Sequence, residues 1–380
     1  MEAAQADEPL KSNPPPPNPD LAPVRPSTAN VDLRFLLIRD SYHQIITDDI
    51  PAAFLESERQ PSPSAPLTDL LKDGHFRKAA EVALDQLLKA GSGDAETILR
   101  LLYTRLACLV LISRPDFAAD EALPLTDFLS RNSPGARELL AFIPWELRLL
   151  LVRLQSIVAA DGGRRAIMAL YALSGEVRSH INEAGTTDDD AALELWSTRL
   201  RDLGMRVADS FVEMGELETA HRHLETLTDA DADEVNYRKA LLRIRVGDVA
   251  GAARSIQAVT SSERRETLEG LLKIADGNWD AAVQVWQDLA AKYPDNELLG
   301  QNAAVSLLYT GRIVQARGIL EALAKDTAVF PTLLFNLSTV YELCTERAVE
   351  RKIEAAQALA SKPPTFESGG WERTNAEFKL

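Results

Sequence analysis

Residues 277–296 read GNWDAAVQVWQDLAAKYPDN, and how this stretch is read decides the fold. Gly277 tolerates the left-handed backbone that ends a helix, because it has no Cβ to meet the neighbouring carbonyl. Ala282 is small enough for a second helix to approach the first closely. Trp286 and Leu289, four and seven residues further on, fall on the same helical face. Pro294 has no N–H and cannot continue a helix, so this helix stops before it. Asp295 or Asn296 can then cap the next one, which begins at Glu297. The stretch predicts the second helix of a hairpin, bounded by a glycine turn and a proline stop.

The pattern recurs in both directions. Downstream by 34 residues, Gly311, Ala316, Leu320 and Leu323 repeat Gly277, Ala282, Trp286 and Leu289. Upstream, Gly247, Ala252, Ile256 and Val259 do the same, and before them Gly215, Ala220, Leu224 and Leu227. The glycine intervals are 32, 30 and 34, so the loops vary while the helix phase holds. Gly74, Phe76, Ala79 and Ala83 form a further, isolated copy. Ala304 supplies the small contact position on the helix that follows Pro294. These phased copies resemble the tetratricopeptide repeat, a helix-turn-helix unit of about 34 residues.

Strand signals are absent elsewhere, and the predicted fold is all-α, an α-solenoid of tetratricopeptide-like hairpins over 67–360. Residues 141–160 and 164–181 read as a hairpin across the DGG turn at 161–163. EAGTTDDD (183–190) and TDADADE (228–234) read as loops, and 193–214 as the first helix of the Gly215 copy. Residues 1–66 read as a disordered head, with eight prolines in its first thirty residues and one short helix at 31–50. Residues 361–380 form a tail that can cap the last hairpin.

The formal charge is −16, from 57 acidic and 41 basic residues, which disfavours nucleic acid as a partner. Cys108 and Cys344 stand apart in apolar helical contexts and define neither a disulfide nor a thiolate site. His221 and His223 diverge on their helix, and Asp229, Asp231 and Asp233 start a calcium-loop pattern that fails at Glu234 and Ala240. No nucleophile elbow, phosphate loop or dinucleotide fingerprint occurs, so no catalytic residue, cofactor, metal or small-molecule substrate is expected. The N-terminus is acidic without a hydrophobic signal core, and the apolar run 99–113 is broken by Arg100 and Arg105. A cytoplasmic protein without membrane insertion is expected.

Binding is therefore the expected activity. First helices line the concave side of such arrays, which points to Leu298, Gln301, Val305 and Leu308 as partner-facing. Trp371 and Phe378, in GWERTNAEFKL (370–380), are large apolar residues that either cap the last hairpin or bind a partner. An adaptor of the co-chaperone type, binding protein C-termini through a lysine and asparagine clamp, is the alternative. Asn302 fits that clamp, but Thr267 and Leu271 stand where its lysine and asparagine belong.

NAAVSLLYTGR (302–312), LLFNLSTVYEL (333–343), LELWSTRLRDLG (193–204) and LLKDGHFRKAAEVALDQLL (70–88) together resemble the trafficking protein particle (TRAPP) complex subunit 12 family. The resemblance runs over about 67–380 and leaves out the proline-rich head. It implies a non-catalytic scaffold of TRAPP III, a vesicle-tethering assembly that activates a Rab-family GTPase. It further implies roles in ER-to-Golgi transport and autophagy, contact with the large accessory subunits, and peripheral association with ER–Golgi and Golgi membranes through the complex.

Overall fold

The computed structural model describes residues 31–47, 50–131, 133–158, 161–327, 330–363 and 365–366. The proline-rich stretch 1–30 and the tail from 367, with Trp371 and Phe378, lie outside them. Among the described residues every regular element is a helix. The chain divides into two compact units. The first is Met1–Leu154 with Ala328–Phe335 and Ile353–Leu380, and the second is Gln155–Thr327 with Asn336–Lys352.

In the first unit the helices are α1 (Ala52–Leu55), α2 (Leu67–Lys72), α3 (Phe76–Leu87), α4 (Ala95–Leu111), α5 (Pro115–Ser130), α6 (Pro134–Leu140) and most of α7 (Trp145–Val158). Leu70, Phe76, Ala80, Leu84, Ile98 and Leu102 belong to its core. The expected short helix at 31–50 is not formed. Residues 31–47 instead make two 3₁₀ turns, Arg34–Leu36 and Arg39–Ser41, and then continue without regular structure. Val31, Leu33, Leu36, Tyr42 and Ile45 are buried in the same core as α3 and α4, so this part of the expected disordered head at 1–66 is packed.

An ion pair beneath this segment explains its docking. Arg105 and Glu121 are each about 1% exposed and bond in bidentate fashion, Nε to Oε2 at 2.9 Å and Nη2 to Oε1 at 2.8 Å. The Arg105 Nη2 also donates to the His43 carbonyl at 2.8 Å, and the His43 N–H donates to Glu121 Oε1 at 2.9 Å. Buried charges demand such partners, and the strap supplies them through its backbone. Tyr42 donates its hydroxyl to the Leu36 carbonyl at 2.6 Å, and burial pushes its phenol well above the ordinary range. Further along, Phe54 of α1 is enclosed by Leu334, Ala356, Leu359 and Ala360, and Ser57 Oγ donates to the Ala360 carbonyl at 2.6 Å.

The second unit contains α8 (Gly162–Thr187), α9 (Asp190–Glu213), α10 (Leu217–Glu225), α11 (Ala232–Val246), α12 (Val249–Gln257), α13 (Ser262–Ala275), α14 (Trp279–Lys292), α15 (Glu297–Tyr309) and α16 (Ile313–Asp326). Parts of α17 (Pro331–Cys344) and α18 (Ala348–Ala360) complete it. The pairs α9–α10, α11–α12, α13–α14 and α15–α16 are stacked hairpins of an α-solenoid. Gly215, Gly247, Gly277 and Gly311 turn them with φ of +76 to +86°. At Gly277 the N–H donates to the Ile274 carbonyl and the Asn278 N–H to the Lys273 carbonyl, each at 2.9 Å. Asn278 then caps α14, its side chain accepting from the Ala281 N–H at 3.1 Å, so one residue closes one helix and opens the next. Two expected loops are shorter than the sequence suggests. EAGTT (183–187) continues α8 and the turn is made by Asp188 at φ +51°, while Gly162 and Gly163 begin α8.

Ala220, Ala252, Ala282 and Ala316 are fully buried, and so are Leu224, Trp286, Leu289, Leu320 and Ala304. Pro294 lies exposed in the α14–α15 loop, and Asn296 caps α15 by accepting the Leu298 N–H at 3.2 Å. Trp286 is 0% exposed and lies over Gly270 of α13, where a Cβ would stand 2.6 Å from the indole Cζ2. The corresponding positions, seven residues before each turn glycine, hold Ala208, Ala240 and Ala304. Ala208 shares a cluster with Leu224 and Ala240 with Ile256, so the larger indole is matched by the smaller notch.

Candidate interaction surface

The first helices of the four hairpins repeat one feature. Six and three residues before each turn glycine stand Asp209 and Val212, Leu241 and Ile244, Leu271 and Ile274, and Val305 and Leu308. Seven of these eight are half-buried and Asp209 is exposed, so the array carries an apolar stripe that water still reaches. Leu241, Ile244 and Leu271 back onto the Ala240–Ile256 cluster, and Leu271 and Ile274 onto the Trp286 cluster.

A ladder of ion pairs crosses the same helices. Arg238 of α11 bonds Asp209 of α9 and, through Nε, Glu234 at 2.7 Å. Arg264 of α13 bonds Glu234 Oε2 at 2.8 Å, and its guanidinium lies 5.2 Å from the Tyr237 ring centre. Asp209 keeps 53% of its side chain exposed, yet the surrounding protein raises its carboxyl above the ordinary range despite Arg238. Asp233 shows the opposite behaviour. The Thr260 hydroxyl, donating at 2.7 Å, and the backbone N–H groups of Thr260 and Ser261 hold its carboxyl below the usual range.

Of the residues predicted to face a partner, Leu298, Val305 and Leu308 keep part of their surface open. Gln301 is 3% exposed and closed in, and its Oε1 has no hydrogen-bond partner among the described residues. Trp371 and Phe378 lie outside the described residues. Thr267 is buried and Leu271 half-buried, and neither offers a cation to a terminal carboxylate. Sequence reasoning missed the ladder. Its trace is a charge repeat: Arg238 follows Asp209 by 29 residues and Arg264 follows Glu234 by 30, about one hairpin apart. It also missed the turn edge, where Trp279 and Tyr309 stack at 4.1 Å with rings 8° from parallel, beside the Asp280–Arg312 pair.

In the first unit a groove of about 420 Å³ is lined by Arg59, Asp69, Leu70, Asp73 and His75 among others. It is open to solvent, and burial pulls the His75 imidazole below its ordinary value, leaving it neutral at pH 7. Among the described residues no three His, Cys, Asp or Glu side chains converge to hold a metal ion. No described helix is long and apolar enough to cross a membrane.

No protein-family model matches the chain. It is similar to trafficking protein particle complex subunit 12 of Mus musculus, at 24% identity over 300 residues, and of Homo sapiens, at 22% over 302. Each match covers 70% of this chain, with 37% of the mouse protein and 40% of the human one. The chain thus spans about two fifths of the length of the curated relatives it matches. Among solved structures it is similar to a tetratricopeptide repeat protein from Parabacteroides merdae ATCC 43184, with 15% identity, 68% of this chain and 91% of that one covered, and a TM-score of 0.40. The APC/C hetero-tetramer Cut9–Hcn1 gives 13% identity, 77% and 84% coverage and a TM-score of 0.33.

Proposed function

We propose that the chain is a non-catalytic scaffold subunit of a TRAPP III-type vesicle-tethering complex, one that activates a Rab-family GTPase in ER-to-Golgi transport and autophagy. The observation that carries this reading is the similarity to subunit 12 over 70% of the chain. The stacked hairpins with their open apolar stripe suit such a role, because they offer a long surface on a rigid support. The partners are other TRAPP subunits, the large accessory ones above all. Through them the chain associates peripherally, from the cytoplasm, with ER–Golgi and Golgi membranes. The co-chaperone adaptor finds no support in Thr267 and Leu271, which cannot replace a lysine and asparagine clamp.

Purification of the tagged full chain from its own cells, followed by mass spectrometry, tests the proposal. Recovery of TRAPP subunits in near-stoichiometric amounts is expected. Recovery without any of them overturns it.

A further inference from the structure

Within the second unit, α8 and α9 are much longer than their neighbours, with 26 and 24 residues against nine in α10. At 1.5 Å per residue α9 extends about 36 Å and α10 only about 14 Å. Their contacts show where the cover ends. The His223 Nε2 lies 2.9 Å from the Gly204 carbonyl oxygen, and Leu227 packs against the Gly204 Cα. Below Gly204, α10 and its loop accompany α9; above it, the first half of α9 overhangs.

That overhang is apolar in sequence and only half covered in structure, by α8 along its seam. Leu193, Trp196, Leu200, Leu203 and Val207 follow one another at intervals of 3, 4, 3 and 4, which is a single helical stripe. Leu203 and Val207 are buried. From Asp190 to Asp202 no residue is buried, although Leu193, Trp196 and Leu200 lie in that span. Trp196 stacks on His180 of α8 at 4.3 Å, and the Arg199 guanidinium lies 4.6 Å from its ring centre. On the neighbouring flank of α9, about 100° round from Trp196, Leu195 is 49% exposed. An indole held between two polar groups with leucines around it has the composition of an interface centre.

The charges around the stripe select the occupant. Between 175 and 202 the two helices and their turn carry seven carboxylates against three arginines, and Asp188, Asp189 and Asp190 stand exposed together at the tip. One of those arginines, Arg201, is already held by Glu194 at 2.7 Å. A second copy of this arm would meet like charge, whereas a basic helix would meet its complement.

We propose that the overhanging half of the α8–α9 hairpin is a docking site for a basic amphipathic helix of another subunit, laid against the flank of α9 that bears Leu195 and the open edge of Trp196 to complete a helical bundle. The occupant's identity as a TRAPP subunit rests on the function proposed above. Its apolar face covers Leu195 and the open edge of Trp196, and its lysines and arginines face the acidic rim.

The test uses the tagged full chain in its own cells, with two changes made separately. A photoreactive phenylalanine derivative at Leu195 is expected to cross-link to a helical segment of a TRAPP subunit that bears lysines or arginines on one side. The double variant Leu195→Arg with Asp190→Lys alters exposed positions only. It is expected to melt with the parent and to recover that subunit at least tenfold less. Undiminished recovery with the double variant overturns the docking site and leaves the proposed function standing. Cross-links only between copies of this chain also overturn it, in favour of self-association. Recovery of no TRAPP subunit by the unaltered chain overturns the proposed function and this inference together.

Discussion

Trp286 and Gly270 show how much one position can depend on another. The indole is enclosed, and it fits because the helix opposite lacks a Cβ. Gly270→Ala places a methyl carbon within 2.6 Å of the ring and should cost about 1–3 kcal/mol by overpacking. Trp286→Leu leaves a void and should also destabilise, whereas the pair Gly270→Ala with Trp286→Leu restores the alanine–leucine match of the neighbouring hairpins. Denaturant unfolding of the four proteins closes the cycle, and a double variant no better than the sum of the singles would show the two to be independent. Trp286 was legible in the sequence because it continues the Leu224, Ile256 and Leu320 series. Gly270 was not, since a glycine inside a helical stretch reads only as a weak helix former. His75 supplies a residue-level pH effect. Burial lowers its folded pKa below 6.5, so the folded state favours the neutral ring. Its stabilising contribution is complete above about pH 6.5 and fades as pH falls through that value toward the folded pKa. His75→Gln should flatten the fall in melting temperature between about pH 7.5 and pH 5.5.

Among the elements, the helix stops divide into those that announce themselves and those that do not. Gly74, Gly215, Gly247, Gly277 and Gly311 all take positive φ, and the spacing of the last four made their hairpins readable. The α4–α5 turn has the same hydrogen bonds, with the Ser113 N–H donating to the Val110 carbonyl at 3.1 Å and the Arg114 N–H to Leu109 at 2.9 Å. Ser113 nevertheless carries a Cβ at φ +62°, and Asp188 does so at +51°. Turns made without glycine escape a search for glycines. Ser113→Gly should therefore raise stability by about 0.5–1 kcal/mol, the relief of left-handed strain exceeding the entropy that glycine adds to the unfolded chain. Gly277→Ala should lower it by about 1 kcal/mol. Thermal melts of both variants check the pair, and equal midpoints would mean that the turns are not strained.

Over the whole molecule, local pattern reveals the repeats of the second unit and hides the assembly of the first. The strap at 31–47 looked like part of a head because its partners, Arg105 and Glu121, lie 62 and 78 residues beyond His43. No periodicity connects them. Replacing Arg105 alone by Ala should cost about 3–5 kcal/mol by stranding the Glu121 charge, and Arg105→Leu with Glu121→Leu should cost less. Limited trypsin digestion offers a second readout, with faster cleavage after Arg34 and Arg39 in Arg105→Ala than in the parent. The half-buried stripe proposed as an interaction surface was legible to the same extent as the unit that bears it. The repeat phase located Val305 and Leu308, but the Arg238 and Arg264 ladder depends on which helices stack, and Gln301 on how tightly.

The bond from Ser57 to Ala360 spans 303 residues, and Phe54 finds its enclosure only among Leu334, Ala356, Leu359 and Ala360. On the ribosome, that interval corresponds to roughly 15–60 s of synthesis at about 5–20 residues per second. The hairpins of the second unit can close one after another as they emerge, each against a neighbour already made. Phe54 has to wait. Phe54 and Ser57 stay unsealed until α18 has been made, so a truncated product lacking α18 would expose its fault at α1, about 300 residues before the break.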